Sequence, residues 1–182
     1  MEPLSRDAVA EVLETVAGDL DRVEQILLEA ATAGTPFLTE TASYLTKAGG
    51  KRLRPALVAL CSRLYSECGP RAASTGAAIE LTHLATLYHD DVIDEADTRR
   101  GVPSANGKWG NIVAILVGDY LFARASSIAA DVGGEVPRVL ADAIARVVQG
   151  QVRELEHLYD IGRPVDHYRS TVDDKTDRKS VV

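Results

Sequence analysis

From Val136 to Tyr159 the apolar side chains Val136, Val139, Leu140, Ala143, Ile144, Val147, Val148, Val152, Leu155 and Tyr159 recur at steps of three and four. That is the 3.6-residue period of an amphipathic helix, and Arg138, Asp142, Arg146 and Glu154 fall on its opposite face. Similar spacing predicts helices near 5–31, 37–47, 54–67, 71–95 and 109–131, and a further one over 164–179. The seven prolines, at 3, 36, 55, 70, 103, 137 and 164, stand at the edges or first turns of these segments. Proline lacks an N–H and is tolerated in a helix's first turn, so it acts here as punctuation. Gly49-Gly50 and Gly133-Gly134 read as turns. No stretch alternates with a period of two, and aromatics make up only 5% of the chain, so the expected class is all-α. At 182 residues a single domain over 1–182 with a real core is expected, with no linker or internal repeat.

Charge and composition remove several function classes. A net charge of -7 disfavours a nucleic-acid surface. No run approaches about 18 consecutive apolar residues, so no membrane span is expected. The opening residues are acidic and lack an apolar segment, so no signal peptide is expected either. Cys61 and Cys68, seven apart with no histidine cluster beside them, read as reduced thiols of a cytoplasmic protein.

The densest polar signal is His89-Asp90-Asp91-Val92-Ile93-Asp94-Glu95-Ala96-Asp97, with five acids in eight residues at the end of a predicted helix. Carboxylates there oppose the negative end of the macrodipole, and Asp90 and Asp94 repel each other one turn apart. The arrangement suits a hard divalent cation such as Mg²⁺, which takes carboxylate oxygens and keeps waters for a phosphate. A solvated acidic helix end is the alternative.

Basic groups flank these acids. Thr98-Arg99-Arg100-Gly101 follows them, with two guanidinium forks that either grip phosphate or neutralise the acids. Gly49-Gly50-Lys51-Arg52-Leu53-Arg54-Pro55 places Lys51 and Arg54 at a helix start beside permissive glycines; a basic cap at a turn is the competing reading. His83 lies two turns before Asp90 on the same face, either a core histidine or a donor to an anion. Lys175-Thr176 is unremarkable alone. Taken together, basic loops on both sides of an acidic metal motif describe a cavity for two polyanions, one of them held through Mg²⁺.

At this point the chain resembles the trans-isoprenyl (polyprenyl) diphosphate synthases. The matching stretches are GGKRLRP at 49–55, ELTHLATLYHDDVIDEADTRRG at 80–101, GNIVAILVGDYLFARA at 110–125, GQVRELE at 150–156 and DKT at 174–176. The resemblance implies an isoprenoid-synthase-type helical bundle that condenses an allylic diphosphate with isopentenyl diphosphate. It implies that Asp90, Asp91 and Asp94 bind Mg²⁺, with Asp90, Asp94 and Arg99 as the catalytic set. Arg99, Lys175 and Thr176 would hold the allylic diphosphate; Lys51, Arg54, His83 and Arg100 would hold isopentenyl diphosphate. Ala85 and Thr86, small residues one turn above the aspartates, imply an open path for a long product.

Members of that family are roughly twice this long in their helical core and carry a second aspartate-rich motif far downstream. The resemblance therefore implies that this chain is the N-terminal half of such a bundle, truncated at its C-terminus. Loss of partner helices should leave the apolar face of the 136–159 helix partly exposed. The implied assembly is a homodimer or a pairing with another synthase subunit, and a non-catalytic partner subunit is the alternative function. An all-α metal phosphohydrolase built on His89-Asp90 needs an upstream histidine, and the four histidines stand at 83, 89, 157 and 167. None precedes 83, which argues against it.

Overall fold

The protein is described by a computed structural model covering residue 11 and residues 14–65, 69–157 and 161–174. Its residues fall into two compact units, Met1–Val132 and Gly133–Val182. Among the described residues, helix dominates, as the periodicity predicts.

In the first unit, α1 (Ala17–Ala31), α2 (Pro36–Lys47), α3 (Leu53–Arg63) and α4 (Pro70–Ile93) are followed by a small ribbon, β1 (Thr98–Arg99) and β2 (Val102–Pro103). A one-turn helix, α5 (Ala105–Trp109), then leads into α6 (Asn111–Val132). Helix α4 is the organising element and packs along α6, α3 and α1. Its Ala77, Leu81, Leu84, Ala85 and Tyr88 are buried with Val23 and Leu27 of α1, Leu45 of α2, and Val117, Leu121 and Ala125 of α6. The Tyr88 hydroxyl donates to the Thr41 carbonyl at 2.5 Å, which satisfies the one polar atom that large side chain brings into the core. Asp19, only 4% exposed, is held by Arg63 at 2.7 Å and ties α1 to α3.

Helix α6 is long and apolar enough to cross a membrane by length and composition. Asp119 and Arg124 interrupt its apolar run, however, and Ala114, Val117, Gly118, Leu121, Ala125 and Ala129 form its buried side. Its other side leaves Ile112, Ile115 and Leu116 exposed.

The second unit contains α7 (Val136–Glu156) and α8 (Val165–Val172), with Arg153 paired to Asp174 at 2.5 Å. Leu140, Val147 and Gly150 of α7 are buried, whereas Val139, Val148, Val152 and Leu155 are exposed. Part of the predicted apolar face is therefore uncovered.

The element boundaries differ from expectation in instructive places. Within the helix predicted over 5–31, Glu11 and Glu14 are helical, a turn interrupts at Thr15–Val16, where two β-branched residues and Gly18 disfavour helix, and α1 runs on from Ala17. The helix predicted to reach 95 stops at Ile93, and Glu95 adopts a positive φ of 49°, consistent with carboxylates crowding a helix C-terminus. The predicted 109–131 helix is divided by Gly110, whose φ is 86°. The helix predicted over 54–67 ends at Arg63, and residues 66–68 lie outside the described part.

Candidate active site

The last turn of α4 treats its three aspartates differently. Asp91 is fully buried, and its Oδ1 accepts from Nε of Arg99 at 2.6 Å and Nη2 at 2.5 Å. Burial pushes the Asp91 carboxyl above its ordinary range, and Arg99 pulls it back. Its second oxygen, Oδ2, is buried without a hydrogen-bond partner. Asp90 is half-buried, and Asp94, which caps the helix, is exposed.

Among the described residues no group of three or more acids, histidines or cysteines is gathered as a metal centre. What the chain offers is Asp90 and Asp94 one turn apart, plus the orphaned Oδ2 of Asp91. Mg²⁺ is commonly held by one or two carboxylates with waters and phosphate oxygens completing its shell, so this donor set fits it.

The turn that follows the acids reaches back to the first basic loop. Arg100, at a φ of 54° before Gly101 at 78°, donates from Nη1 to the carbonyl of Leu45 at 2.9 Å and to that of Gly49. The tight turn depends on Gly101, because that region of φ is strained for other residues. Ser104 steadies the far side, donating to the Ala96 carbonyl at 2.5 Å and accepting from the Gly107 N–H at 3.2 Å as the N-cap of α5.

The first basic loop is pinned from within. Arg52 stands at a φ of 47° as the N-cap of α3 and is itself buried. Its guanidinium donates to Glu24 at 2.8 and 3.0 Å, to the Thr46 carbonyl at 3.0 Å and to Glu80 at 3.2 Å. Glu80 is 2% exposed; burial raises its pKa, while Arg52, Arg54 and Arg100 draw it down. Lys51 is exposed on this loop, and Arg54 is half-buried in the first turn of α3.

The structure therefore brings Arg99 to Asp91 and Arg100 to the 45–49 backbone. His83 is half-buried on α4, and its carbonyl accepts from the Thr86 hydroxyl at 2.8 Å. Ala85 lies wholly inside the core, and Thr86 is half-buried. Lys175 and Thr176 lie outside the described residues.

Sequence reasoning missed the Arg52–Glu24–Glu80 network and the inward turn of Asp91. Both had a signal. Asp91 continues the buried series Ala77, Leu81, Leu84 and Tyr88 at steps of four, three, four and three, and Glu80 is a lone acid among small and apolar residues.

A polyprenyl synthetase family model matches residues 35–181. The nonaprenyl diphosphate synthase of Mycobacterium tuberculosis is 43% identical over 162 residues, which cover 88% of this chain and 48% of that protein. Heptaprenyl diphosphate synthase component 2 of Geobacillus stearothermophilus is 39% identical over 162 residues, 88% of this chain and 51% of that one. Among solved structures, a polyprenyl synthase from Caulobacter crescentus complexed with calcium and isoprenyl diphosphate superposes with a TM-score of 0.91 at 30% identity, covering 97% of this chain and 54% of that one. The chain spans about half the length of the curated relatives it matches.

Proposed function

Because the chain belongs to the polyprenyl synthetase family, we propose that it serves the condensation of an allylic diphosphate with isopentenyl diphosphate to a polyprenyl diphosphate, as part of one such synthase domain in the cytoplasm. The observation that carries this reading is the grip of Arg100 on the carbonyls of Leu45 and Gly49. It draws two cationic segments together immediately beside the aspartates, as a site for two diphosphates requires.

In this reading Lys51, Arg54, His83 and Arg100 bind isopentenyl diphosphate, and Arg99, Lys175 and Thr176 bind the allylic diphosphate. Asp90, Asp91 and Asp94 hold Mg²⁺, which when bound would neutralise charge on the departing pyrophosphate. Asp91 has a second task, orienting Arg99, because its Oδ1 already receives that guanidinium. Arg99 is 30% exposed, so its outer N–H groups remain accessible to a phosphate oxygen. Fixed donors aimed at developing negative charge favour ionisation of the allylic C–O bond, and holding both substrates beside each other makes the following attack effectively intramolecular.

The test is a Mg²⁺-dependent condensation assay on the purified chain, alone and with a complete synthase added. Asp90→Ala should abolish the chain's own turnover; a variant with full turnover sinks the assignment. Relatives named for nonaprenyl and heptaprenyl products, and the small side chain of the half-buried Thr86, support a product above C20; Ala85 is closed within the core. Chromatography showing only farnesyl diphosphate would refute that product length.

A second reading, a non-catalytic partner subunit, is favoured by the exposed apolar row of α7 and by a relative named as one component of a synthase. Turnover seen only after a complete synthase is added, and raised above that of the synthase alone, would select it.

A further inference from the structure

Among the described residues, Glu80 is a buried carboxylate to which the roles above assign nothing. Glu80 projects from α4, 2% exposed, with Oε1 at 3.2 Å from Nη1 of Arg52 and 3.9 Å from Nη2 of Arg100. Each arginine is also fixed elsewhere, Arg52 by Glu24 and the Thr46 carbonyl, Arg100 by the carbonyls of Leu45 and Gly49. The backbone between them is close to both guanidinium groups: a Cβ added at Gly50 would meet Nη1 of Arg52 and of Arg100 at 3.0 Å each. One carboxylate thus links the arginine inside the first basic loop to the arginine of the turn after the aspartates.

We propose that Glu80 is a positioning residue that sets the spacing of the two basic segments, so that a single diphosphate meets donors from both. The proposal rests on the reading given under Proposed function and adds a residue that never touches the ligand. Its logic is a contest of signs. A buried negative charge beside an anion site repels the anion, so by Coulomb's law alone its removal should tighten binding. Removal of a positioning group does the reverse, because the guanidinium groups it aligned lose their common geometry.

The variant Glu80→Gln keeps the volume and a carbonyl acceptor for Arg52 while deleting the charge. Glu24→Gln acts on the same arginine from the half-exposed side, and serves if burial makes the first variant unfold. Titration calorimetry with inorganic pyrophosphate, without divalent metal, is run on the full chain, with thermal unfolding to establish that each variant is folded. We expect pyrophosphate to bind about tenfold or more weakly in each folded variant, the scale of one charge-assisted hydrogen bond. Inorganic phosphate, too small to span both segments, should lose much less, so the preference for pyrophosphate over phosphate should collapse. Folded variants that bind pyrophosphate as tightly as wild type, or more tightly, overturn the inference and leave the proposed function standing. A wild-type chain that does not bind pyrophosphate at all overturns the proposed function, and this inference with it.

Discussion

At the residue scale, two side chains show how far chemistry is decided by position. His89 crosses from α4 to α6, with Nε2 at 3.1 Å from the Ile115 carbonyl and 3.4 Å from Asp119. It fits because position 118 has no side chain: a Cβ there would lie 2.2 Å from Nε2. Gly118→Ala should therefore destabilise by about 1–3 kcal/mol through overpacking, read as a lower thermal midpoint. Adding His89→Ala should recover part of that loss. Glu80 gives a pH signature. Its folded pKa is raised above 4.5, so its favourable contribution is present at low pH and is lost as pH rises from that value through the folded pKa. The stability advantage of wild type over Glu80→Gln should shrink across that window in urea titrations. The residues of the proposed site, Asp90 to Arg100 and Lys51 to Arg54, stand out in the sequence because their charge crowding is unusual beside a helix end. Their pairing does not. That Arg99 answers Asp91 while Arg100 turns to carbonyls 51 and 55 residues away goes with a positive φ at Arg100, which no adjacent pair of arginines announces.

At the scale of elements, helix periodicity and proline placement located the main helices, with Pro36, Pro70 and Pro137 in first turns as expected. The ribbon at 98–103 and α5 were invisible, since two-residue strands and a five-residue helix are too short to show a period. These short pieces depend on individual hydrogen bonds more than on burial. Ser104, fully buried at the N-cap of α5, is the clearest case. Ser104→Ala removes a cap and leaves the Ala96 carbonyl without its donor, and should cost about 1–2 kcal/mol in chemical unfolding. Faster amide exchange across 96–107 than in the rest of the chain would place the damage in this segment.

For the whole molecule, the matches to relatives of about twice the length bear directly on surface chemistry. The sequence suggested that the 136–159 helix would leave apolar surface uncovered, and α7 does expose Val139, Val148, Val152 and Leu155. The chain alone should bind a hydrophobic dye such as ANS, and Val148→Lys with Leu155→Lys should lower that signal without lowering the unfolding midpoint. A parallel fall in both would mean that this row is buried in solution. The all-α class and the family were readable from motifs and periodicity. The division into two units was not, because the Gly133-Gly134 turn resembles any other turn in the sequence.

The hold of Arg100 on Leu45 and Gly49 also has a kinetic meaning. For the 98–101 turn to move away from the 45–49 backbone these two hydrogen bonds must break first, so the turn and that backbone should share part of their protection against amide exchange. Exchange measured across 45–49 and 98–101 should then rise together when Arg100 is replaced by Ala.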